Sequence, residues 1–327
     1  MKEFFEILTK VKKQFRKKNK NIPLFKIPGM GKYRVSDRDI MGKRGWMVYP
    51  RSSAGKGNAF GWLKEEAARC GIELDVLIDD ELSAVAGERL KVLRCGEEME
   101  RPDFVVMRHY DTTLAVHFER MGIRVINTPQ AMDISRNKML THQLFVRNGI
   151  PTPETLYTSL SATGYDALSH YFADSCFVVK AVSGSKGEQV FLVRNEDELR
   201  EAVKTCGDFF LAQRFVAGSE GRDIRAWIVG NRVVGAVMRY NDHSFKSNFS
   251  LGGKAKEVEV TPEIAQLSLR CAKIIGLEFA GIDLLFSETG YSVCEINGNA
   301  GFRTISSVSG EVNIPRALFE YIAGFQK

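Results

Sequence analysis

Asp283, Glu295 and Asn297 bring two carboxylates and an amide oxygen close together near the C-terminal end of the chain. Oxygen donors of this kind suit a hard divalent cation such as Mg²⁺, which usually keeps waters and substrate phosphates as its remaining ligands. Few protein ligands therefore imply a nucleotide as co-ligand. In an extended strand alternate side chains share a face, so Glu295 and Asn297 point one way and Ile296 points into the core. Asp283 interrupts the apolar run 279–286, where an unpaired carboxylate would be costly to bury. A second set of candidates is cationic. Lys180 ends the run Phe177-Val178-Val179-Lys180 just before Ser183-Gly184-Ser185-Lys186-Gly187. Glycines let backbone N–H groups close on phosphate oxygens, and a lysine adds a point charge. The loop is not a Walker loop, because GxxxxGK[ST] is absent.

The elements that must position these residues follow from hydrophobic pattern and stop signals. After a basic arm, strands over 46–49, 73–78, 103–107 and 124–127 alternate with helices over 58–70 and from Thr112, which predicts a small parallel sheet covered by helices. Thr128-Pro129 opens one long amphipathic helix that ends near Asn148-Gly149, with Pro151 and Pro153 just beyond. Residues 176–215 give strand, glycine loop, strand, helix and strand. Residues 223–297 give mostly antiparallel strands around one helix from about Pro262 to Gly276, and a last helix covers about 314–325.

The remaining motifs, in order, are Phe210-Leu211-Ala212-Gln213-Arg214-Phe215, Gly221-Arg222-Asp223-Ile224-Arg225, and Phe245-Lys246-Ser247-Asn248 ahead of Gly252-Gly253. Followed by Asp283, Glu295 and Asn297, this series resembles the ATP-grasp superfamily, and most closely its RimK-type amino-acid ligases, from about Asp103 to the C-terminus. The resemblance implies an α/β (α+β) ATP-grasp fold behind a Rossmann-like pre-ATP-grasp domain. The domains expected are a basic arm over 1–45, the pre-ATP-grasp domain over 46–127, a central and lid subdomain over 128–215, and a C-terminal subdomain with the metal site over 216–327.

It also implies roles. Lys138 and Lys180 neutralise the α and β phosphates of ATP, and Ser183, Gly184, Ser185, Lys186 and Gly187 form a lid over them. The backbone of Gln213, Arg214 and Phe215 holds the adenine edge, with Asp223 on the ribose. Arg225, Arg239, Lys246 and Asn248 face the γ-phosphate and the activated carboxylate, and Asp283, Glu295 and Asn297 hold two Mg²⁺, for which Mn²⁺ can substitute. Arg108 matches a family arginine for a substrate carboxylate, and Arg303 lies beside the acceptor pocket. The implied reaction converts a carboxylate to an acyl phosphate with release of ADP, after which an amine forms the amide. The added group is an amino acid such as glutamate, and the acceptor a peptide, protein or small-molecule carboxylate. The chain departs from the pattern at Arg214, where relatives commonly carry an acidic residue, and in Asn297-Gly298-Asn299-Ala300-Gly301, which lacks the usual proline.

Composition bounds the alternatives. At 327 residues and 44% hydrophobic the chain can bury a full core. Six cysteines without a CxxC pair argue against a disulfide framework or a zinc site and fit a reducing cytoplasm. No apolar run is long enough to span a bilayer, and the N-terminus lacks a signal-peptide core. Residues 1–45 carry 14 Lys/Arg against 4 Asp/Glu, a net of +10 within an overall +6. Phe4, Leu8, Val11 and Phe15 fall at helical spacing among them, a basic amphipathic helix suited to its own domain, an acidic partner or an anionic membrane. No nucleic-acid partner is expected, and a homo-oligomer is compatible with the sequence. Gly55-Lys56-Gly57-Asn58-Ala59-Phe60-Gly61 imitates a dinucleotide fingerprint but puts Phe60 at the third glycine. Two other readings stand beside the ligase: a nucleotide-binding adaptor docking through the basic arm, and an ATP-grasp kinase.

Overall fold

The computed structural model describes residues 24–27, 31–34, 42–184, 187–247 and 252–325. The amphipathic helix expected around Phe4–Phe15, and Ser185, Lys186 and Asn248, lie outside the described residues. Strands β1 (Leu24–Ile27) and β2 (Gly31–Arg34) pair as an antiparallel hairpin. The parallel sheet has the spatial order β4-β3-β8-β9, from β3 (Lys43–Tyr49), β4 (Ile72–Ile78), β8 (Phe104–Met107) and β9 (Arg124–Ile126). Helix α1 (Gly57–Arg69) connects β3 to β4, and α2 (Thr112–Arg120) connects β8 to β9. Strand β3 starts at Lys43, three residues ahead of the expected Trp46, because the Arg44 N–H and side chain are anchored by Asp103 and Glu100. A small antiparallel sheet of β5 (Leu82–Ala86), β6 (Leu90–Arg94) and β7 (Glu97–Glu98), not foreseen from sequence, is inserted after β4.

The expected long helix is two helices, α3 (Pro129–Arg136) and α4 (Lys138–Arg147). Asn137 adopts an extended backbone between them, and its side chain accepts the Leu140 N–H. Asparagine offers the backbone this alternative to a helical hydrogen bond, so the amphipathic pattern continues while the helix breaks. The break frees the Lys138 N–H to donate to Val182 O at 3.0 Å, which ties the start of α4 to the glycine loop.

A four-stranded antiparallel sheet follows, in the order β10-β13-β11-β12, from β10 (Thr155–Ser159), β11 (Phe177–Ala181), β12 (Val190–Val193) and β13 (Phe209–Arg214). It is backed by α5 (Tyr165–Phe172) and α6 (Glu196–Cys206) around Phe172, Phe177 and Phe210. The last sheet is antiparallel in the order β16-β15-β14-β17-β18, from β14 (Arg222–Val229), β15 (Arg232–Tyr240), β16 (Lys254–Val258), β17 (Phe279–Ser287) and β18 (Gly290–Asn297). One face buries Ile224, Ala226, Ile282 and Ile296 with α7 (Pro262–Ile275). Part of the other joins the parallel sheet, since Trp227 and Phe279 share a core with Met47, Phe104 and α9 (Ile314–Ala323). Buried Asn127 reinforces that junction: its amide donates to Phe279 O and Gly298 O, and its oxygen accepts the Glu278 and Phe279 N–H groups. A short helix α8 (Arg303–Val308) precedes α9.

Candidate active site

The charged residues of the last sheet form one row because of register. Asp223 on β14 pairs with Arg239 on β15, Arg225 with Asp283 on β17, and Asp283 with Glu295 on β18. Directly opposed residues share a face, so the row crosses four strands on the side opposite α7. Arg225 grips Asp283 bidentately, with both N···O distances at 2.6 Å. Arg239 donates to Asp223 through Nε at 2.7 Å and through Nη2, and lies 2.9 Å from Asp283. Charges this deeply buried persist only when paired. Burial on its own would raise the Asp283 carboxyl, but Arg225 and Arg239 together overcome it and hold it at about 2.

A register shift at Asp283/Leu284 pairs Leu284 with Val293 and leaves Cys294 unpaired. Bulges re-aim side chains. Here both Cys294 and Glu295 line the same cleft between the two antiparallel sheets. Lys138, Lys180, Gly187, Gln213, Arg214 and Phe215 line it from the earlier elements, and Asp223, Arg239, Lys246 and Asp283 line it from the last sheet. Lys180 Nζ donates to Gln213 Oε1 at 2.6 Å and approaches Cys294 Sγ at 3.4 Å. Lys138 Nζ lies 3.6 Å from Glu295 and donates to Gly184 O at 3.1 Å, while Lys246 donates to Gly187 O at 3.0 Å. The two lysines thus hold the flanks of the glycine loop. Burial lowers the Lys246 ammonium and raises the Cys294 thiol.

Gln213 is held from behind by residues that the sequence did not single out for chemistry. Its Nε2 donates to Thr155 Oγ1 at 2.8 Å and lies 3.1 Å from His142 Nε2. An amide nitrogen only donates, so His142 Nε2 accepts and its proton sits on Nδ1, 2.5 Å from Thr152 Oγ1. Thr152 passes a hydrogen bond to Val293 O at 2.8 Å. Burial, then Lys180 and Lys138, depress the His142 imidazole to about 3, so it is neutral. In sequence, a histidine on the buried face of a helix carries no signal beyond its hydrophobic phase.

The other predicted residues sit around this cleft. Asn297 lines a second pocket, with Ser183 and Gly184, and its Oδ1 accepts from Tyr110 Oη at 3.1 Å and Asn299 N at 2.9 Å. Arg225 stands behind Asp283 rather than on the cleft wall. Buried Arg108 lies under the 298–301 loop: it donates to Ala300 O at 2.8 Å, and its guanidinium packs over the rings of Phe279 and Phe302. That loop lies flat on β17, since a Cβ at Gly281 would come within 2.7 Å of Ala300 Cβ. Arg303 is exposed at the start of α8 and lines neither cavity. The Arg214 side chain turns away to Phe172 O and Glu154.

A family model for the RimK-like ATP-grasp domain matches residues 135–322. The chain belongs to the RimK-like ATP-grasp family. It is 32% identical over 275 residues to a probable alpha-L-glutamate ligase of Legionella pneumophila (strain Paris), covering 80% of this chain and 89% of that one. It is also 32% identical to beta-citrylglutamate synthase B of Danio rerio, over 76% of this chain and 65% of the relative. Among solved structures, the ATP-grasp ligase PsnB complexed with a minimal precursor superposes with a TM-score of 0.66 at 18% identity, covering 86% and 97% of the two chains. The D-alanine-D-alanine ligase of Coxiella burnetii gives 0.61 at 17%, over 86% and 94%. The protein is thus an ATP-grasp enzyme, an ATP-dependent, ADP-forming carboxylate–amine ligase. No helix among the described residues is long and apolar enough to cross a membrane.

Proposed function

We propose that the protein joins an amino acid to a carboxylate on a peptide, protein or small molecule through an acyl phosphate, with glutamate as the leading candidate for the added group. The convergence of Lys138, Lys180, Asp283 and Glu295 on one cleft carries this reading. Nucleotide phosphates entering between Lys138 and Lys180 meet two cations already fixed by Gly184 O and Gln213 Oε1, so little reorganisation is needed to neutralise them. Gly184 and Gly187, whose carbonyls Lys138 and Lys246 hold, border the phosphates, and the backbone of Gln213, Arg214 and Phe215 takes the adenine edge. Asp223 shares its oxygens between Arg239 and the ribose hydroxyls.

Glu295, whose nearest partner among the described residues is Lys138 at 3.6 Å, is the hard oxygen donor that fits Mg²⁺ best, with Asn297 on the same strand and Asp283, whose oxygens Arg225 and Arg239 already hold, beside it on the neighbouring strand. When bound, Mg²⁺ supplies charge neutralisation at the phosphates and at the oxygen that develops charge on transfer. Arg239 and Lys246, which line the cleft, orient the γ-phosphate and the attacking carboxylate oxygen, while Arg225 positions Asp283 from behind. Transfer of this kind rests on positioning and charge more than on a protein nucleophile, and Cys294, whose thiol burial raises, needs no covalent role. The amine then displaces phosphate from the acyl carbon. The relatives' names point to glutamate, and the net charge of +10 over residues 1–45 suits an acidic acceptor.

The test is incubation with Mg-ATP, pooled dipeptides and glutamate-rich peptides, and hydroxylamine as a trap. ADP with a hydroxamate, both lost in Glu295→Gln, supports acyl-phosphate chemistry; AMP and pyrophosphate would overturn it.

A further inference from the structure

The large apolar side chains that stay exposed among the described residues gather around one strand. They are Leu140 and Val146 on α4, Tyr157 on β10, Phe209 on β13 and Tyr171 on α5. Strand β10 is an edge of its sheet and pairs with β13 on one side alone. Helix α4 packs on β10, and Tyr171 Oη donates at 2.8 Å to Glu154, the residue just before that strand. Single exposed apolar residues are ordinary on a protein surface, whereas a cluster of them marks an interface. Tyr157 and Phe209, 51% and 56% exposed, stack with ring centroids 5.3 Å apart and planes at 18°.

The edge is also unguarded. Unpaired N–H and C=O groups invite a further strand, so sheet edges are commonly blunted by charge, by proline or by a covering segment. Edge strand β16 carries Lys254, Lys256 and Glu257, β7 is Glu97-Glu98, and β18 is covered where Pro151 O accepts the Val293 N–H at 2.7 Å. Strand β10 reads Thr155-Leu156-Tyr157-Thr158-Ser159, with neither charge nor proline. Strands β5 and β12 are uncharged edges too, but none of the exposed large apolar side chains lies on them. The hydrogen-bond phase of β10 is set by Glu154 O, which accepts the Arg214 N–H at 2.9 Å. Bonded and non-bonded pairs alternate along an antiparallel ladder, so Leu156 and Thr158 bond to β13 while the backbone N–H and C=O groups of Thr155, Tyr157 and Ser159 face outward. Of these, Ser159 O is already taken by the Ala162 and Thr163 N–H groups.

We infer that β10 pairs with β10 of a second copy of this chain, antiparallel about a two-fold axis at Tyr157, so that two four-stranded sheets continue into one another. The occupant is a copy because the edge complements itself, as a two-fold interface requires. About that axis Thr155 meets the copy's Ser159 and Tyr157 meets the copy's Tyr157, which brings outward-facing groups together on both strands. Glu154 meets the uncharged Leu160 of the copy, so no like charges oppose each other along the strand. The stacked pair becomes a row of four rings, the cross-strand aromatic contact that stabilises sheets. About half of a ring's usual burial, on Tyr157, Phe209 and Tyr171 of both copies, comes to ~600 Å². The strands and α4 bring the total toward the ~1,000 Å² that a specific interface needs. The axis stands perpendicular to the sheet, so like faces stay together and both nucleotide clefts lie on one face of the pair. This pairing does not depend on the acceptor chemistry proposed above.

The experiment is sedimentation of the full chain across a roughly hundredfold range of micromolar concentration, with amide hydrogen exchange at both ends of the range. The wild type is expected to be a dimer whose Thr155 and Tyr157 amides exchange more slowly as concentration rises. Tyr157→Lys, which sets like charges against each other on the axis, is expected to raise the dimer dissociation constant at least about tenfold. Phe209→Ser should raise it less, and Glu97→Lys, on another edge, should leave it unchanged. Melting of each variant with and without Mg-ATP shows that it is folded and binds nucleotide. A wild type that stays monomeric throughout overturns the pairing, and so does a folded Tyr157→Lys that remains as dimeric as the wild type. A dimer whose β10 amides exchange no more slowly than the monomer's overturns it as well. A monomeric wild type that pooled peptides stabilise, while Tyr157→Lys is not stabilised, gives the edge to an extended peptide and likewise overturns pairing with a copy.

Discussion

His142→Gln is expected to remove much of the protein's sensitivity to mild acid. His142 is buried, neutral and depressed to about 3 from an ordinary 6.5, first by burial and then by Lys180 and Lys138. Its protonation would place an N–H against the Gln213 amide N–H at 3.1 Å, two donors facing each other beside a lysine. A folded pKa below the unfolded one means that the unfolded chain takes up the proton first. Stability from this residue is therefore complete above pH 6.5, falls as pH drops through the window from 6.5 to 3, and is fully lost below it. Across the whole window the loss is about 5 kcal/mol, and between pH 7.5 and 5 it is about 2 kcal/mol. Glutamine does not titrate and can keep one donor and one acceptor at the site. Urea midpoints of wild type and variant, measured from pH 7.5 to 5, should diverge in slope, with the variant losing about 2 kcal/mol less than the wild type. Parallel slopes would refute the neutral, network-bound histidine. The same relay positions Lys180, so His142→Phe, which strips Gln213 of one acceptor, should raise the KM for ATP several-fold while His142→Gln restores most of it.

Asp283→Ala should cost about 3–5 kcal/mol in urea unfolding, because it strands Arg225 as a largely buried cation and leaves Arg239 with Asp223 alone. Glu295→Gln, whose contact with Lys138 is 3.6 Å, should change stability by less than about 1 kcal/mol while abolishing Mg²⁺-dependent turnover. Asp283 also predicts acid loss in a separate, lower window. Its pKa is held at about 2 against 3.8, so the stability it provides is present above pH 3.8 and lost as pH falls through about 2, a contribution of about 2 kcal/mol that Asp283→Asn should flatten in acid titrations followed by circular dichroism. Asn127→Ala removes two donated and two accepted hydrogen bonds at the junction of the parallel and C-terminal sheets and should cost about 2–4 kcal/mol, read as a lowered melting temperature.

Much of the fold was legible because its strands carry strong local signals. The apolar run 279–286 and the Cys294–Asn297 alternation place Asp283 and Glu295 on β17 and β18, and the register then makes them direct neighbours. Lys180 at the end of an apolar strand was equally plain. What stayed hidden depended on single residues or on tertiary pairing. Nothing in the hydrophobic period marks Asn137 as a helix break, since the break is made by its side chain and by Val182 O, forty-five positions on. The bulge that turns Cys294 into the cleft is a matter of pairing count between two strands, invisible in either alone. His142 and Thr152 read as ordinary buried positions until Gln213 arrives from another strand. Arg108 was expected at a substrate, yet its guanidinium lies between two phenyl rings that come from β17 and the residue before α8.

The most direct measurement follows oxygen rather than residues. With the acceptor identified from the peptide pool and its carboxylate labelled with ¹⁸O, attack on the γ-phosphate carries one labelled oxygen into the released inorganic phosphate. Phosphate bearing a single ¹⁸O per amide formed is the expected result. Label appearing in AMP, or amide formed with unlabelled phosphate, would contradict carboxylate activation in the cleft framed by Lys138, Lys180, Asp283 and Glu295.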